Sequence, residues 1–234
     1  MLPIGDELPS RRSPIVTLGL LGANVFVFFL ELMMGPDLER FFMTWGLVPY
    51  FFTHPDRYPW APLTLFTSMF LHGGWSHLIG NMVYLWIFGD NVEDILGHLG
   101  YLLFYLAAGV VAGLAQVLVA PASRVPCVGA SGAIAGVLGV YLVAYPASPV
   151  RVLVPGFYFW RIVRVPALFV LGFWFILQLF NGFLSLGVAT AATGGVAWFA
   201  HIGGFLTGLV VGGLARAMGR PRRRYYQRYD RDWW

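Results

Sequence analysis

Residues Ala130-Ser131-Gly132-Ala133-Ile134-Ala135-Gly136-Val137-Leu138-Gly139-Val140-Tyr141-Leu142-Val143-Ala144-Tyr145-Pro146 run without a single charge. The apolar positions are continuous rather than alternating, and the run is longer than a strand requires, which predicts a membrane-spanning helix. Five further runs of the same kind surround it, at about 14–34, 77–96, 99–119, 166–186 and 197–217. A transmembrane helix needs about 20 mostly apolar residues. The fold expected is therefore an all-α membrane protein, a bundle of six transmembrane helices. The continuous runs speak against a β-barrel, whose strands would alternate in hydropathy. The first run is longer than the apolar core of a cleaved leader and lacks a small-residue cleavage site, so it reads as a retained signal-anchor.

Composition agrees. Of the 234 residues, 58% are hydrophobic and 11% charged, where a soluble domain carries about 25% charged residues. Mean hydropathy is +0.70. Such a chain cannot clothe a soluble globule, which excludes an ordinary cytosolic enzyme, a disordered protein and a nucleic-acid-binding domain. The single cysteine, Cys127, excludes an intramolecular disulfide and a multi-Cys metal site. Although it lies four residues before Ser131, it reads as a buried, inert thiol.

Arginine placement sets the orientation. Arg11 and Arg12 precede the first run, Arg151, Arg161 and Arg164 lie between the fourth and fifth, and seven arginines follow from Arg216 onward. With six spans all of these share one side, leaving only Arg40, Arg57 and Arg124 on the other. Both termini are thus expected in the cytoplasm, with a bacterial-type inner membrane the expected location. The chain divides into an N-terminal segment (1–13), the bundle (14–217) and an Arg- and aromatic-rich tail (218–234). That tail reads either as a solvated positive-inside segment or as a binder of anionic lipid. Residues 35–76, with Phe41, Phe42, Trp45, Tyr50, Phe51, Phe52, Tyr58 and Trp60, form a long loop between the first two spans, expected in the membrane interface.

Polar groups are costly in a bilayer, so those within the runs point to function. Three places stand out. Ser131 lies between glycines at the start of the fourth run; a packing role for Gly132 and Gly136 explains those glycines equally well. His201 lies just inside the sixth, followed by Gly204, Gly208 and Gly212 at four-residue spacing. A histidine bonded to a backbone carbonyl is the plain alternative there. His77 and Asn81 enter the second run on one helix face. Both donate hydrogen bonds, or simply mark a helix end. Metal binding by His72 and His77 lacks a supporting carboxylate or thiolate cluster, and no H-E-x-x-H is present. No metal or cofactor is expected.

Topology joins the three places. The second, fourth and sixth spans all descend from outside, so Ser131, His201, His77 and Asn81 lie at similar depth, within about 10 Å of the outer boundary. The glycine faces allow the fourth and sixth helices to approach, as a serine hydroxyl needs in order to reach an imidazole. Ser131 is then a nucleophile and His201 its general base. The oxyanion formed on attack needs donors already in place, which His77, Asn81 and the Ser131 N–H can supply. Glu93, 16 residues beyond His77, lies about 24 Å away along the helix, and Glu31 ends the first span. Neither makes an obvious third member, so a Ser-His dyad is expected.

These motifs resemble the rhomboid family of intramembrane serine proteases. The resemblance runs through Phe70-Leu71-His72-Gly73-Gly74-Trp75-Ser76-His77-Leu78-Ile79-Gly80-Asn81, Phe88-Gly89-Asp90-Asn91-Val92-Glu93-Asp94, Gly129-Ala130-Ser131-Gly132 and Ala200-His201-Ile202-Gly203-Gly204. It implies a six-helix bundle with a cavity open to the outside. It also implies hydrolysis of peptide bonds in or near the transmembrane segments of membrane-protein substrates. Ser131 matches the nucleophile, His201 the base, His77 and Asn81 the oxyanion side chains, and Glu93 a structural acid. The fifth span resembles the family's substrate gate. Two positions depart from the pattern: Ala135 stands where some members stack an aromatic ring on the base, and Trp60-Ala61 where some carry Trp-Arg. Two rivals remain, a non-catalytic relative that binds membrane clients and a small transporter. The Ser131 and His201 pair speaks against the first. The lack of intramembrane coupling charges and of inverted repeats speaks against the second. The partners expected are membrane-protein substrates and the bilayer; oligomeric state is left open.

Overall fold

The computed structural model describes residues 2–156, 159–186 and 196–220. A short strand, β1 (Leu2–Asp6), precedes the first long helix, α1 (Ile15–Met33). Short helices α2 (Leu38–Trp45), α3 (Pro49–Phe52) and α4 (Thr64–Thr67) lead to the long helices α5 (Trp75–Leu96) and α6 (His98–Val119). Then come α7 (Ser131–Ala144), a hairpin of β2 (Pro149–Pro155) and β3 (Trp160–Pro166), and the helices α8 (Ala167–Ser185) and α9 (Trp198–Ala217).

Four of these helices, α1, α6, α8 and α9, are long and apolar enough to cross a membrane, which fits an integral membrane protein. Helix α5 is as long as α6 but carries His77, Asn81, Asp90, Asn91, Glu93 and Asp94. Helix α7 has only 14 residues. It stands at the centre, buried without interruption from Gly132 to Tyr141. A helix sheathed by its neighbours meets no lipid and need not match the bilayer's full thickness.

The all-α expectation requires a correction. Strands β1, β2 and β3 form an antiparallel sheet in that order, with Val150 paired to Val165 and Arg151 to Arg164. Val150 and Val152 are fully buried while Arg151 between them is exposed. This period-two pattern belongs to a half-buried strand. The expected loop at 35–76 is also more ordered than a loop, being a chain of short helices. Tail residues beyond 220, including Arg222, Arg223, Arg224, Arg228 and Arg231, lie outside the described residues.

Helices α7 and α9 meet through their glycines. A Cβ on Gly204 would strike the carbonyl oxygen of Gly132, and one on Gly208 that of Gly136. One on Gly139 would strike the carbonyl oxygen of Phe205. The two backbones are therefore in contact, with no side chain between them.

At the opposite end from Ser131, Glu93 closes the start of α1. Pro14 at that helix's N-cap offers no side-chain acceptor. Glu93 instead accepts the backbone N–H groups of Val16 (3.0 Å) and Thr17 (2.9 Å), with the Thr17 hydroxyl at 2.7 Å. These N–H groups have no acceptor within their own helix, and a carboxylate also suits the positive end of its dipole.

Strand β1 is tied to the bundle by Asp6, whose carboxylate accepts from the Tyr141 hydroxyl (2.6 Å) and from Asn91 Nδ2 (3.1 Å). Burial pushes the Asp6 carboxyl up to about 7, and the neighbouring Asp90 adds to the rise against the pull of the Tyr141 hydrogen bond. A carboxyl raised in the fold takes up a proton on folding between about pH 4 and pH 7. Its stabilising effect is complete below the unfolded value and is lost as pH rises through 7. Thermal unfolding in detergent micelles should show Tm falling between pH 5 and 8, with Asp6→Asn flattening that slope. An equal slope in Asp6→Asn would contradict this assignment.

Candidate active site

Ser131 opens α7 and His201 lies in the first turn of α9. The glycine-mediated contact of these helices brings the two side chains together: His201 Nε2 stands 2.8 Å from Ser131 Oγ. Because Ser131 begins its helix, the N–H groups of its first turn have no intrahelical acceptor.

Gly129, two residues earlier, makes the approach possible. Its φ of +126° is one that side chains rarely allow. A Cβ there would also stand 2.8 Å from the His77 ring and 3.5 Å from Asn81 Nδ2. Both side chains of α5 are thus held against the backbone that delivers Ser131. Asn81 is buried, and its Nδ2 has no acceptor among the described residues. A buried amide donor without a partner is costly and leaves a donor ready for an oxygen atom entering the site.

The segment after α1 holds the other side. Leu47 and Cys127 exchange backbone hydrogen bonds of 3.0 and 2.8 Å, Gly129 N–H donates to the Ser68 carbonyl (2.9 Å), and Tyr50 N–H to that of Ser123 (2.9 Å). Arg124 lies over the Tyr50 ring at 4.3 Å. Residues 120–130 are thereby fastened although Trp60 is followed by Ala61. Glu31, at the end of α1, accepts the N–H of His72 at 2.9 Å and is buried. It orients the approach to α5 and does not bond His201. Burial pushes the Cys127 thiol up to about 12, which keeps it in the unreactive thiol form. No group of three or more metal-ligating side chains occurs among the described residues.

A small cleft opens beside the serine, lined by Ser68, Met69, Gln116, Gly129, Ser131 and Ala200 among others.

Sequence reasoning missed one residue. Gln178 of α8 is buried, and its Oε1 stands 2.8 Å from His201 Nδ1. Trp174 and Trp198 flank the imidazole, with ring centroids at 5.9 and 6.2 Å. These three supply the support that Ala135 cannot. The signal was present: Gln178 is a polar residue inside an apolar run, of the kind that located the other three places.

The molecule is thus a helical bundle fit for a membrane, built around a hydrogen-bonded serine and histidine. The family description for the Rhomboid domain matches residues 59–217, and the chain belongs to the rhomboid family. It is 32% identical over 196 residues to "Rhomboid-like protein 11, chloroplastic" of Arabidopsis thaliana, covering 81% of this chain and 64% of that protein. It is 28% identical over 213 residues to "Rhomboid protein 1, mitochondrial" of Saccharomyces cerevisiae, covering 89% and 56%. With "Putative rhomboid protease YdcA" of Bacillus subtilis (strain 168), identity is 38% over 78 residues, covering 33% and 39%. The chain spans less than two thirds of the length of each of these relatives. Two are organellar and one is bacterial, so they give the bacterial inner membrane no particular support.

Proposed function

We propose that the chain is an intramembrane serine endopeptidase that hydrolyses peptide bonds in or near the transmembrane segments of other membrane proteins. The observation that carries this reading is the 2.8 Å contact of Ser131 Oγ with His201 Nε2 at the edge of an open cleft. In the reaction His201 takes the hydroxyl proton as Ser131 attacks the scissile carbonyl, then gives it to the leaving amine. Water cleaves the resulting acyl-enzyme with His201 again as base. Asn81 Nδ2, His77 and the Ser131 N–H receive the oxyanion.

In the architecture that goes with this reading, α1, α5, α6, α7, α8 and α9 are six spans. The short helices α2 to α4 lie in the outer interface, and the sheet lies with both termini on the arginine-rich side. Residues 14–217 form the catalytic bundle, and its partners are the bilayer and the substrate helices.

Reconstituted protein should cleave single-span substrates, with cuts near helix-weakening residues on the outer side, since a helical carbonyl is shielded until the helix unwinds. Asn81→Ala should lower kcat by about 10²- to 10³-fold, the usual loss for one oxyanion donor, with KM little changed. Steady-state cleavage in proteoliposomes measures both constants. An Asn81→Ala enzyme with wild-type kcat would remove this residue from the oxyanion site.

A further inference from the structure

Helix α8 is largely exposed on its apolar side chains and buries only Ala167, Leu171, Gln178 and Gly182. Three of these four are small or aliphatic; the fourth is an amide facing the base. A buried amide must find partners for both its ends. Gln178 Nε2 donates to the Trp174 carbonyl at 3.1 Å, one turn earlier in the same helix. That bond fixes which end of the amide faces the imidazole. Rotating the amide by half a turn would set its oxygen against the Trp174 carbonyl oxygen and leave its nitrogen facing His201. The observed orientation turns Oε1, which can only accept, toward His201 Nδ1 at 2.8 Å.

The ring tautomer follows. A neutral imidazole has one donor nitrogen and one acceptor nitrogen. With Nδ1 bonded to an acceptor, the proton resides on Nδ1. Nε2 is then the lone-pair nitrogen, and it is the one that meets Ser131 Oγ at 2.8 Å. The chain of bonds runs from the Trp174 carbonyl through Gln178 and His201 to the serine hydroxyl.

Resting on the serine-hydrolase reading above, we infer that Gln178 is a positioning residue that holds His201 as its Nδ1–H tautomer, with Nε2 aimed at Ser131. It does the orienting work of a carboxylate third member without placing a charge in the membrane interior. A neutral amide offers the imidazolium a dipole and no full counter-charge. The bond is also made from α8, so the base is set only while that helix is seated against α9.

The experiment compares wild type, Gln178→Leu, Gln178→Glu and Ser131→Ala in proteoliposomes, recording kcat, KM and the pH profile of kcat for a single-span substrate. Gln178→Leu removes the acceptor and should lower kcat by about 10- to 100-fold, equivalent to one hydrogen bond's worth of orientation, with KM within about twofold by the same reasoning. Gln178→Glu keeps an acceptor and adds a counter-charge that favours the protonated imidazole. It should restore kcat at high pH and move the acid limb of the profile upward. A helix-packing role alone would not move that limb. Wild-type kcat in Gln178→Leu, or an unmoved acid limb in an active Gln178→Glu, overturns the inference and leaves the hydrolase reading intact if Ser131→Ala is dead. If Gln178→Leu fails to fold, the pH limb of Gln178→Glu decides alone. Full activity in Ser131→Ala overturns both.

Discussion

Ser131→Ala and His201→Ala should each lower proteolytic kcat by about 10⁴-fold or more, and the double variant should lose no more than either alone. Members of a nucleophile–base pair act as a unit, so the loss of one already removes most of the benefit of the other. Ser131→Ala removes one hydroxyl, while His201→Ala takes an imidazole from between Trp174 and Trp198 and leaves Gln178 Oε1 without its partner. The Ser131 side chain ends at the cleft, and Ala130 and Ala133 beside it already pack as alanines. Ser131→Ala should therefore fold like the wild type, and thermal unfolding of both variants in detergent is the control that separates a lost base from a lost fold. Cleavage of a reconstituted single-span substrate supplies the rates. Two single losses that multiply in the double variant would mean that serine and histidine work independently, against the 2.8 Å contact.

The second large effect is on stability. Gly208→Val should prevent the bundle from forming, because its Cβ would strike the Gly136 carbonyl and the added methyl groups would press α9 away from α7. Even Gly208→Ala is expected to cost about 3 kcal/mol, the upper part of the usual range for overpacking a close-packed interior. Gly213, five residues further along α9, has open space where its Cβ would be. Gly213→Ala should be neutral or slightly stabilising, by up to about 1 kcal/mol, from helix propensity. Size-exclusion profiles and thermal unfolding of the three variants in one detergent make the comparison. Equal behaviour of Gly208→Ala and Gly213→Ala would show that the glycine contact does not hold these helices together. Since that contact also sets the Ser131–His201 distance, Gly208→Ala should lose activity along with stability.

The serine–histidine pair was legible because the physics that exposes it is strict. Few polar residues interrupt the apolar runs, and the parity expected of six spans puts Ser131, His201, His77 and Asn81 at one depth. The same argument reaches Gln178. It lies seven residues before the end of α8, about 10 Å along the helix, on a run expected to cross the opposite way. It was overlooked because a lone glutamine carries no motif, and its meaning depends on which face of α8 meets α9. That is a tertiary fact.

The sheet was harder to see. Val150, Val152 and Val154 alternate with Arg151 and Leu153, yet arginines between spans also obey the positive-inside rule, and one pattern masked the other. Similarly, aromatic residues at 41–60 suit an interfacial loop and short interfacial helices alike. Only backbone pairing, such as Leu47 with Cys127, shows that this segment fastens the serine's approach.

The most direct test of the central claim is covalent labelling of the reconstituted protein with a fluorophosphonate, followed by mass spectrometry of the labelled peptide. A serine activated by a neighbouring imidazole attacks such a phosphorus centre, whereas an ordinary packing serine does not. The adduct is expected on Ser131, and it should be absent from His201→Ala although Ser131 is still present. A protein that folds normally yet takes up no label at Ser131, under conditions that label another serine hydrolase in the same vesicles, would contradict the account.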